Sequence, residues 1–336
     1  MRPGALTSAE QSPADPVLTA AIRRLSRASV MVIGDAMLDC YIYGRVSRIS
    51  SEAPVPILMV EREVAVPGGA GNVVRNLTAL GAAVAFVSVV GDDLPGSDLT
   101  GLIGGQPNVE PWLLVQGGRI TTRKTRYVAK GQQVLRTDHE ETSPIHPKLA
   151  ERMMRVANDA LIATSVTVLS DYGKGVLSHD IPARLIAAAR QAGRKLVVGP
   201  RGSDYSRYAG ADVIIPTWTE LADVTGLPAD TDHAVATAAA ALRDQLGFGA
   251  VLVLRGAAGV TLHDREGTQH FPAELSEVFD LTGVGDSIVA TVAASLAVGL
   301  DMRMAVRVAS IAAGVVASKI GTGAAQEADL LAAIGT

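Results

Sequence analysis

A three-layer α/β sandwich built on a mainly parallel sheet is the fold class this sequence predicts, on three observations. Short apolar runs at residues 30–33, 84–90, 166–169, 196–198, 213–215 and 251–254 read as buried strands. Segments between them, such as 148–161 and 181–192, carry apolar residues at helical spacing. Hydrophobic residues make up 48% of the chain but aromatics only 4%, so Ala, Val, Leu and Ile must fill the core and helices must pack through small side chains. Alternating strands and helices imply βαβ units with helices on both faces of the sheet. Right-handed crossovers then bring the strand C-terminal ends to one edge, where ligands bind.

Taken in order, residues 1–15 are rich in Pro, Ser and Ala and lack the apolar stretch of a signal peptide. They read as a loose tail ahead of one domain covering 16–336, a size that suits a single α/β unit with a small appendage. Residues 41–63 read as extended chain with edge-strand prolines at Pro54 and Pro56. Residues 118–138, rich in Thr and Arg, are extended as well. Neither region fits the doubly wound core, so both are assigned to a small sheet lying over the main domain. The apolar stretch 288–300 falls short of the ~20 residues of a membrane span and suits a buried helix, so no membrane segment is expected. A net charge of −4 disfavours nucleic acid as a main partner, since phosphate binding needs a net basic face. A single cysteine, Cys40, excludes an intrachain disulfide and suits a reducing, cytoplasmic setting.

Several segments carry residue types suited to chemistry. Gly34-Asp35-Ala36-Met37-Leu38-Asp39 follows the first strand, where a carboxylate can grip sugar hydroxyls; an ordinary polar strand exit looks the same. In Pro67-Gly68-Gly69-Ala70-Gly71-Asn72, small residues admit a ligand to the backbone and the Asn72 amide can bind hydroxyls. The glycines are out of register for G-x-G-x-x-G, and a plain loop-to-helix connection remains open. Arg119, Arg123, Lys124, Arg126, Lys130 and Arg136 crowd one region, either as a solvated face or as a phosphate clamp. Ser170-Asp171-Tyr172-Gly173-Lys174-Gly175 fails as a P-loop, because Gly175 stands where Ser or Thr is needed. The strongest segment is Asp280-Leu281-Thr282-Gly283-Val284-Gly285-Asp286-Ser287, which opens a helix. Its glycines expose N–H groups beside the positive helix end, a cradle for phosphoryl oxygens. Asp286 can take a proton from a hydroxyl held there.

Together and in this order the segments resemble the ribokinase (PfkB) carbohydrate kinases, with Pro216 and Glu220 as a further mark, over about residues 30–330. The resemblance implies a ribokinase-like fold with a small β-sheet lid at 41–63 and 118–138, often the homodimer contact, and a kinase that uses ATP and Mg²⁺. Within the family it is nearest to the D-glycero-β-D-manno-heptose 7-phosphate kinases, through Ser47-Arg48-Ile49-Ser50-Ser51-Glu52-Ala53-Pro54-Val55-Pro56, Tyr41, Tyr43 and Lys319-Ile320-Gly321-Thr322. That branch phosphorylates an anomeric hydroxyl to make a 1,7-bisphosphate for the lipopolysaccharide core. The resemblance implies Asp286 as catalytic base with Gly283, Val284 and Gly285 as its anion loop. It assigns Asp39, Gly68, Gly69, Asn72 and Asp171 to the sugar, and Lys124, Arg126, Gln133 and Arg136 to the sugar or its phosphate. Thr217, Trp218, Thr219 and Glu220 fall on the nucleotide segment, Glu220 acting on Mg²⁺ through water. Arg255, Gly256, Gly259 and Lys319, with the helix end near Gly321, border the adenine.

Three departures from the family pattern bear on the nucleotide side. Gly199-Pro200-Arg201-Gly202 stands where relatives have Asp-Pro-Lys-Gly, Thr217 where they have Asn, and Val284 where they have Ala. They leave open a kinase for another sugar or sugar phosphate, or a catalytically weak binding protein. Many relatives carry a further nucleotidyltransferase domain; the residues after Gly321 leave no room for one, so the kinase part alone is expected.

Overall fold

The computed structural model describes residues 15–273, 281–319 and 323–335. Asp280, Ile320–Thr322 and the tail up to residue 14, on which expectations above fall, lie outside the described residues.

The large sheet has the order β13-β12-β11-β10-β9-β8-β1-β4-β5. Its parallel strands are β1 (Ser29–Gly34), β4 (Ala83–Gly91), β5 (Val109–Gln116), β8 (Val166–Ser170), β9 (Lys195–Gly199), β10 (Val213–Ile214) and β11 (Ala250–Leu254). A hairpin, β12 (Val260–Asp264) and β13 (Gly267–Phe271), adds an antiparallel edge. Every apolar run singled out in the sequence is one of these strands. β5 and the hairpin were not foreseen. Pro111 within β5 and its mixed polarity disguise it, and both features are tolerated because β5 is the edge strand.

Alternation along β1 explains the three layers. Val30 and Val32 join the core beneath the helices Ala70–Ala79, Val284–Ala297 and Met302–Ala317; Met31 and Ile33 join a second core under Pro147–Ala163 and Ile181–Gln191. In the first core, buried Ala290, Ala293 and Ala294 meet buried Ala305, Ala309 and Ala312, the small-residue packing that the composition demands.

The first strand runs directly into a four-stranded sheet of order β3-β2-β6-β7, formed by β2 (Ala36–Ile49), β3 (Pro56–Gly69), β6 (Arg123–Ala129) and β7 (Gln132–His139). The extended regions therefore reach further than expected on one side and less on the other: residues 36–69 are strand apart from the turn at 50–55, while 118–122 precede β6 as loop. Pro56 opens the edge strand β3, as its missing N–H requires. Asp39 lies opposite Lys124, Tyr41 opposite Arg126, Arg126 opposite Arg136, and Val128 opposite Gln133. Cross-strand neighbours project from the same face. Asp39, Tyr41, Lys124, Arg126, Gln133 and Arg136 thus share one face of the small sheet.

Candidate active site

Gly283 adopts φ 83° and caps the helix Val284–Ala297, a left-handed state that glycine reaches without steric cost. The helix thus starts abruptly, with first-turn N–H groups that have no i−4 carbonyl and with its positive end outward. Asp286 stands in that turn. Its carboxylate is held from two sides: the Asn72 amide donates to Oδ2 at 2.7 Å and the Tyr172 hydroxyl donates to Oδ1. Burial raises its pKa to about 6, the two hydrogen bonds oppose the rise, and the charge of Asp39 adds to it. Such a carboxylate is ionised at neutral pH yet basic enough to receive a hydroxyl proton.

Asn72 sits in the first turn of the helix Ala70–Ala79. A Cβ on Gly68 would fall 2.2 Å from Asp39 Oδ2, and one on Gly69, at φ 56°, 2.5 Å from the Asp35 carbonyl. Only glycine lets Asp39 lie against that backbone. Arg75 Nη1 donates to Asn72 Oδ1 at 3.2 Å. A guanidinium only donates, so this bond fixes the amide with its NH₂ toward Asp286. Asp39 is 5% exposed and paired with Arg126 Nη1 at 2.7 Å. Arg126 also lies over the Tyr41 ring, 5.2 Å from its centroid. Burial works against the Arg126 charge, but Asp39 outweighs it and the pKa ends raised.

Lys124 pairs with Asp138 at 2.9 Å and Glu140 at 3.3 Å, and half-exposed Arg136 pairs with Asp138 at 3.0 Å. Gln133 is exposed on β7. The other cations of the basic segment take different places. Arg119 is buried and donates to the carbonyls of Ser143 and Lys174, which makes it a brace. Arg123 falls on the opposite face from Lys124, and Lys130 occupies the turn after β6.

Two carboxylates near the site are engaged by the protein itself. Asp35, at the same strand exit as Asp39, is 1% exposed, and its carboxylate accepts the N–H groups of Tyr172, Lys174 and Val176 at 2.8, 3.0 and 3.0 Å. Burial first, and then the Asp171 charge, raises its pKa to about 6. Asp171, expected to bind substrate, accepts the Gly173 N–H at 2.7 Å and the Tyr208 hydroxyl at 2.6 Å, with Arg207 3.5 Å away. Both carboxylates shape the loop after β8 that carries Tyr172.

Beside the helix start lies an apolar slot of about 330 Å³. Leu254, Val260, Leu281 and Ile288 line it, with Ser310, Ala313, Gly314 and Ala317 from the helix Met302–Ala317. Those four small residues are spaced i, i+3, i+4 and i+7, so they form one flat helix face. Thr217, Trp218, Thr219, Gly256 and Gly259, from the segments assigned to the nucleotide, border the slot, and Val284 joins its wall one turn before Ile288. A second cavity of about 180 Å³ shares Thr217, Leu254 and Gly285 with the slot and includes Tyr172, Arg201, Glu220 and Asp286. The slot is apolar, whereas the passage toward Asp286 is lined by Arg201 together with the carboxylates of Asp171, Glu220 and Asp286. Arg255 and Lys319 do not line the slot. Arg255 pairs with Asp232 at 2.6 Å, while Lys319 is bound by Asp329 and the Ala324 carbonyl, both at 2.7 Å.

Glu220 is part of a capping box. Thr217 N–H and hydroxyl donate to Glu220 Oε2 at 2.9 and 2.8 Å, and Glu220 N–H donates back at 3.2 Å. Arg201 lies 3.4 Å from Oε1. Among the described residues no three His, Cys, Asp or Glu side chains converge on a cation position. With its oxygens already engaged, Glu220 fits a water-mediated role toward a cation carried on phosphate oxygens, not a direct cage.

Tyr172 and Arg201 stand in segments named above but carry no assigned role there, and Arg75 is not singled out by the sequence at all. Arg75 was within reach, three residues after Asn72 and so on the same helix face. The Tyr172–Asp286 contact spans 114 residues and leaves no local pattern.

Comparison with known proteins agrees with this geometry. The profile of the "pfkB family carbohydrate kinase" matches residues 27–329. The bifunctional protein HldE of Acidiphilium cryptum is 57% identical over 320 residues, covering 95% of this chain and 66% of the relative. HldE of Paramagnetospirillum magneticum is 48% identical, covering 93% and 64%. The chain thus spans just under two thirds of the length of these relatives. Among solved structures, Arabidopsis thaliana ribokinase complexed with ribose and ATP superposes with a TM-score of 0.72 at 19% identity, covering 92% of this chain and 99% of that one. Phosphofructokinase-2 from Escherichia coli in complex with potassium gives 0.76 at 20%, covering 92% and 98%. At such identities the two structures speak to the fold.

Proposed function

Because the chain belongs to the pfkB family of carbohydrate kinases, we propose that it transfers the γ-phosphoryl group of ATP to the anomeric hydroxyl of D-glycero-β-D-manno-heptose 7-phosphate, giving the 1,7-bisphosphate, a lipopolysaccharide core precursor. One observation carries the reading. Asp286 stands where the passage from the slot meets Asn72, beside the face that bears Asp39 and Arg126. ATP, with Mg²⁺ on its phosphate oxygens, supplies the activated phosphoryl group. The slot takes the flat base, and the passage, with Arg201 and Glu220, takes the phosphates. Asp39 and Asn72 orient the acceptor, and Asp286 receives its hydroxyl proton as charge builds before the N–H groups of Gly285 and its neighbours.

A phosphorylated acceptor is favoured by Lys124, Arg126 and Arg136 on the face that carries Asp39, provided its phosphate displaces the carboxylates of Asp138, Glu140 and Asp39 that now pair with them. The stretch from Ser47 to Pro56 supports the heptose branch through its resemblance. A screen of ATP consumption against sugars and sugar phosphates tests this. Heptose 7-phosphate should give the highest kcat/KM; a free sugar matching it would rule out the phosphate preference. A cytoplasmic setting belongs to the same reading, and no helix among the described residues is long and apolar enough to cross a membrane.

We further propose that the small sheet acts as a lid and as a two-fold dimer contact. Ile49, Val55, Met59, Val60, Val134 and Leu135 on it are each about half exposed or more, apolar surface that a second copy can cover. Light scattering is expected to give a dimer at micromolar concentration. A fully active monomer would contradict it.

The departures at Gly199 and Thr217 make a separate prediction. Thr217 already caps its helix, and Asn caps equally well. A Cβ on Gly199 would meet nothing closer than Val289 Cγ2 at 3.6 Å. Gly199→Asp with Thr217→Asn is therefore expected to fold and to lower KM for ATP by about tenfold, the worth of one hydrogen bond to a charged group. An unchanged KM would mean that Thr217, Glu220 and Arg201 already do this work.

A further inference from the structure

Resting on the kinase reading, we propose that Tyr172 is a positioning residue for the base: its hydroxyl holds one oxygen of Asp286 while Asn72 holds the other, fixing the plane of the carboxylate before the acceptor arrives. Tyr172 stands within Ser170–Gly175, but the motif reading of that segment gives it no role.

The argument starts from the backbone. The loop after β8 is pinned by Asp35, which accepts the Tyr172, Lys174 and Val176 N–H groups, and by Asp171, which accepts that of Gly173. Tyr172 therefore hangs from a fixed main chain. Its hydroxyl donates to Asp286 Oδ1. Burial, and after it the charge of Asp286, hold the phenol well above its ordinary pKa, so it stays a donor throughout the working range. A carboxylate gripped at one oxygen can still rotate about its Cβ–Cγ bond. Grips at both oxygens, from elements 100 residues apart in sequence (positions 72 and 172), leave it one orientation. Each keeps lone pairs free, because a carboxylate oxygen accepts more than one hydrogen bond.

The same bond keeps the base charged. Burial favours the protonated form of Asp286, and hydrogen bonds to the anion oppose it. Among the described residues, the charged groups around the pair have partners of their own: Asp39 is paired with Arg126, Arg75 donates to Asn72, and Arg201, which lines the same passage, faces Glu220. Asn72 and Tyr172 are the donors that touch Asp286 itself.

Tyr172→Phe removes the hydroxyl and keeps the ring. The direct readout is the carboxyl ¹³C resonance of Asp286 in chains labelled at Asp, assigned by its loss in Asp286→Asn and followed against pH without substrates. The expected result is a titration midpoint raised by about one pH unit in Tyr172→Phe, from the loss of a hydrogen bond to a charged group. Equal midpoints in wild type and variant would overturn the proposal. Kinetics give a second measure: the acid limb of kcat should move up by the same amount, while kcat well above the limb falls by about threefold or less. A uniform fall in kcat at every pH, with the limb unmoved, would mark a merely structural residue and also overturn it. The resonance titration requires no phosphoryl transfer, so failure of the kinase reading would show in the acceptor screen and leave this result standing.

Discussion

Asp286→Asn is expected to lower kcat by about 10²–10⁴-fold, with KM for both substrates changed by about threefold or less. Proton removal matters only as the acceptor oxygen attacks, so the loss falls on the transition state and not on binding. The variant keeps the shape of the side chain and one acceptor oxygen. One of the two donors that now meet the carboxylate, Tyr172 or Asn72, then loses its partner, which is a local change at a helix start. A variant with near-wild-type kcat would remove Asp286 from the mechanism. The wild-type protein carries the matching pH signature. With a pKa raised to about 6, Asp286 is protonated below that pH and unable to accept a proton, so kcat should fall as pH drops through about 6. A sugar phosphate also titrates near pH 6. For that reason the profile is read in kcat at saturating substrate.

The second large effect is expected at Arg126. Arg126→Ala should raise KM for the sugar phosphate by roughly 10–100-fold, from the loss of a charge-assisted contact, and leave KM for ATP nearly unchanged. The same change takes from buried Asp39 its directly paired guanidinium, leaving the charge of Arg75 as a less direct neighbour. Breaking a buried pair on one side costs about 3–5 kcal/mol of stability. Arg126→Lys separates the two effects, since it keeps the charge beside Asp39 but loses the planar fork. Its stability should recover while the KM defect persists in part. Arg136→Ala should act more weakly, because Arg136 is half exposed and tied to Asp138. Equal rises in KM for both substrates would point to general loss of structure.

The fold was legible where burial is two-sided. Runs such as residues 30–33 and 251–254 are apolar throughout because both faces of a parallel sheet are covered. β5 escaped because an edge strand obeys neither the pattern nor the ban on proline. At the site, Gly283, Gly285 and Asp286 could be read because a glycine-led helix start is local chemistry. So could Asn72, through its glycine neighbours. Asp39 was separated from Asp35 only by the family resemblance: both follow one strand, and it is the fold that turns the first toward Arg126 and the second into the loop after β8. Lys319 and Arg255 resemble nucleotide-binding positions, yet their charges are engaged by Asp329 and Asp232, partners that no spacing rule identifies. Tyr172 shows the same limit from the other side, since its one decisive bond is long-range.

The flat wall formed by Ser310, Ala313, Gly314 and Ala317 has a consequence for engineering. Every side chain on it is already small, so a change to glycine at Ser310, Ala313 or Ala317 gains at most a methyl or hydroxymethyl group of space, and any larger substitution narrows the slot. If the slot holds the base, as proposed, this helix offers little room for an analogue with a bulky base substituent. More space would come from the opposite side, by shortening Leu254, Leu281 or Ile288. Conversely, Gly314→Ala or Ala313→Val would narrow the slot and should raise KM for ATP on that reading, while leaving Asp286 unaltered.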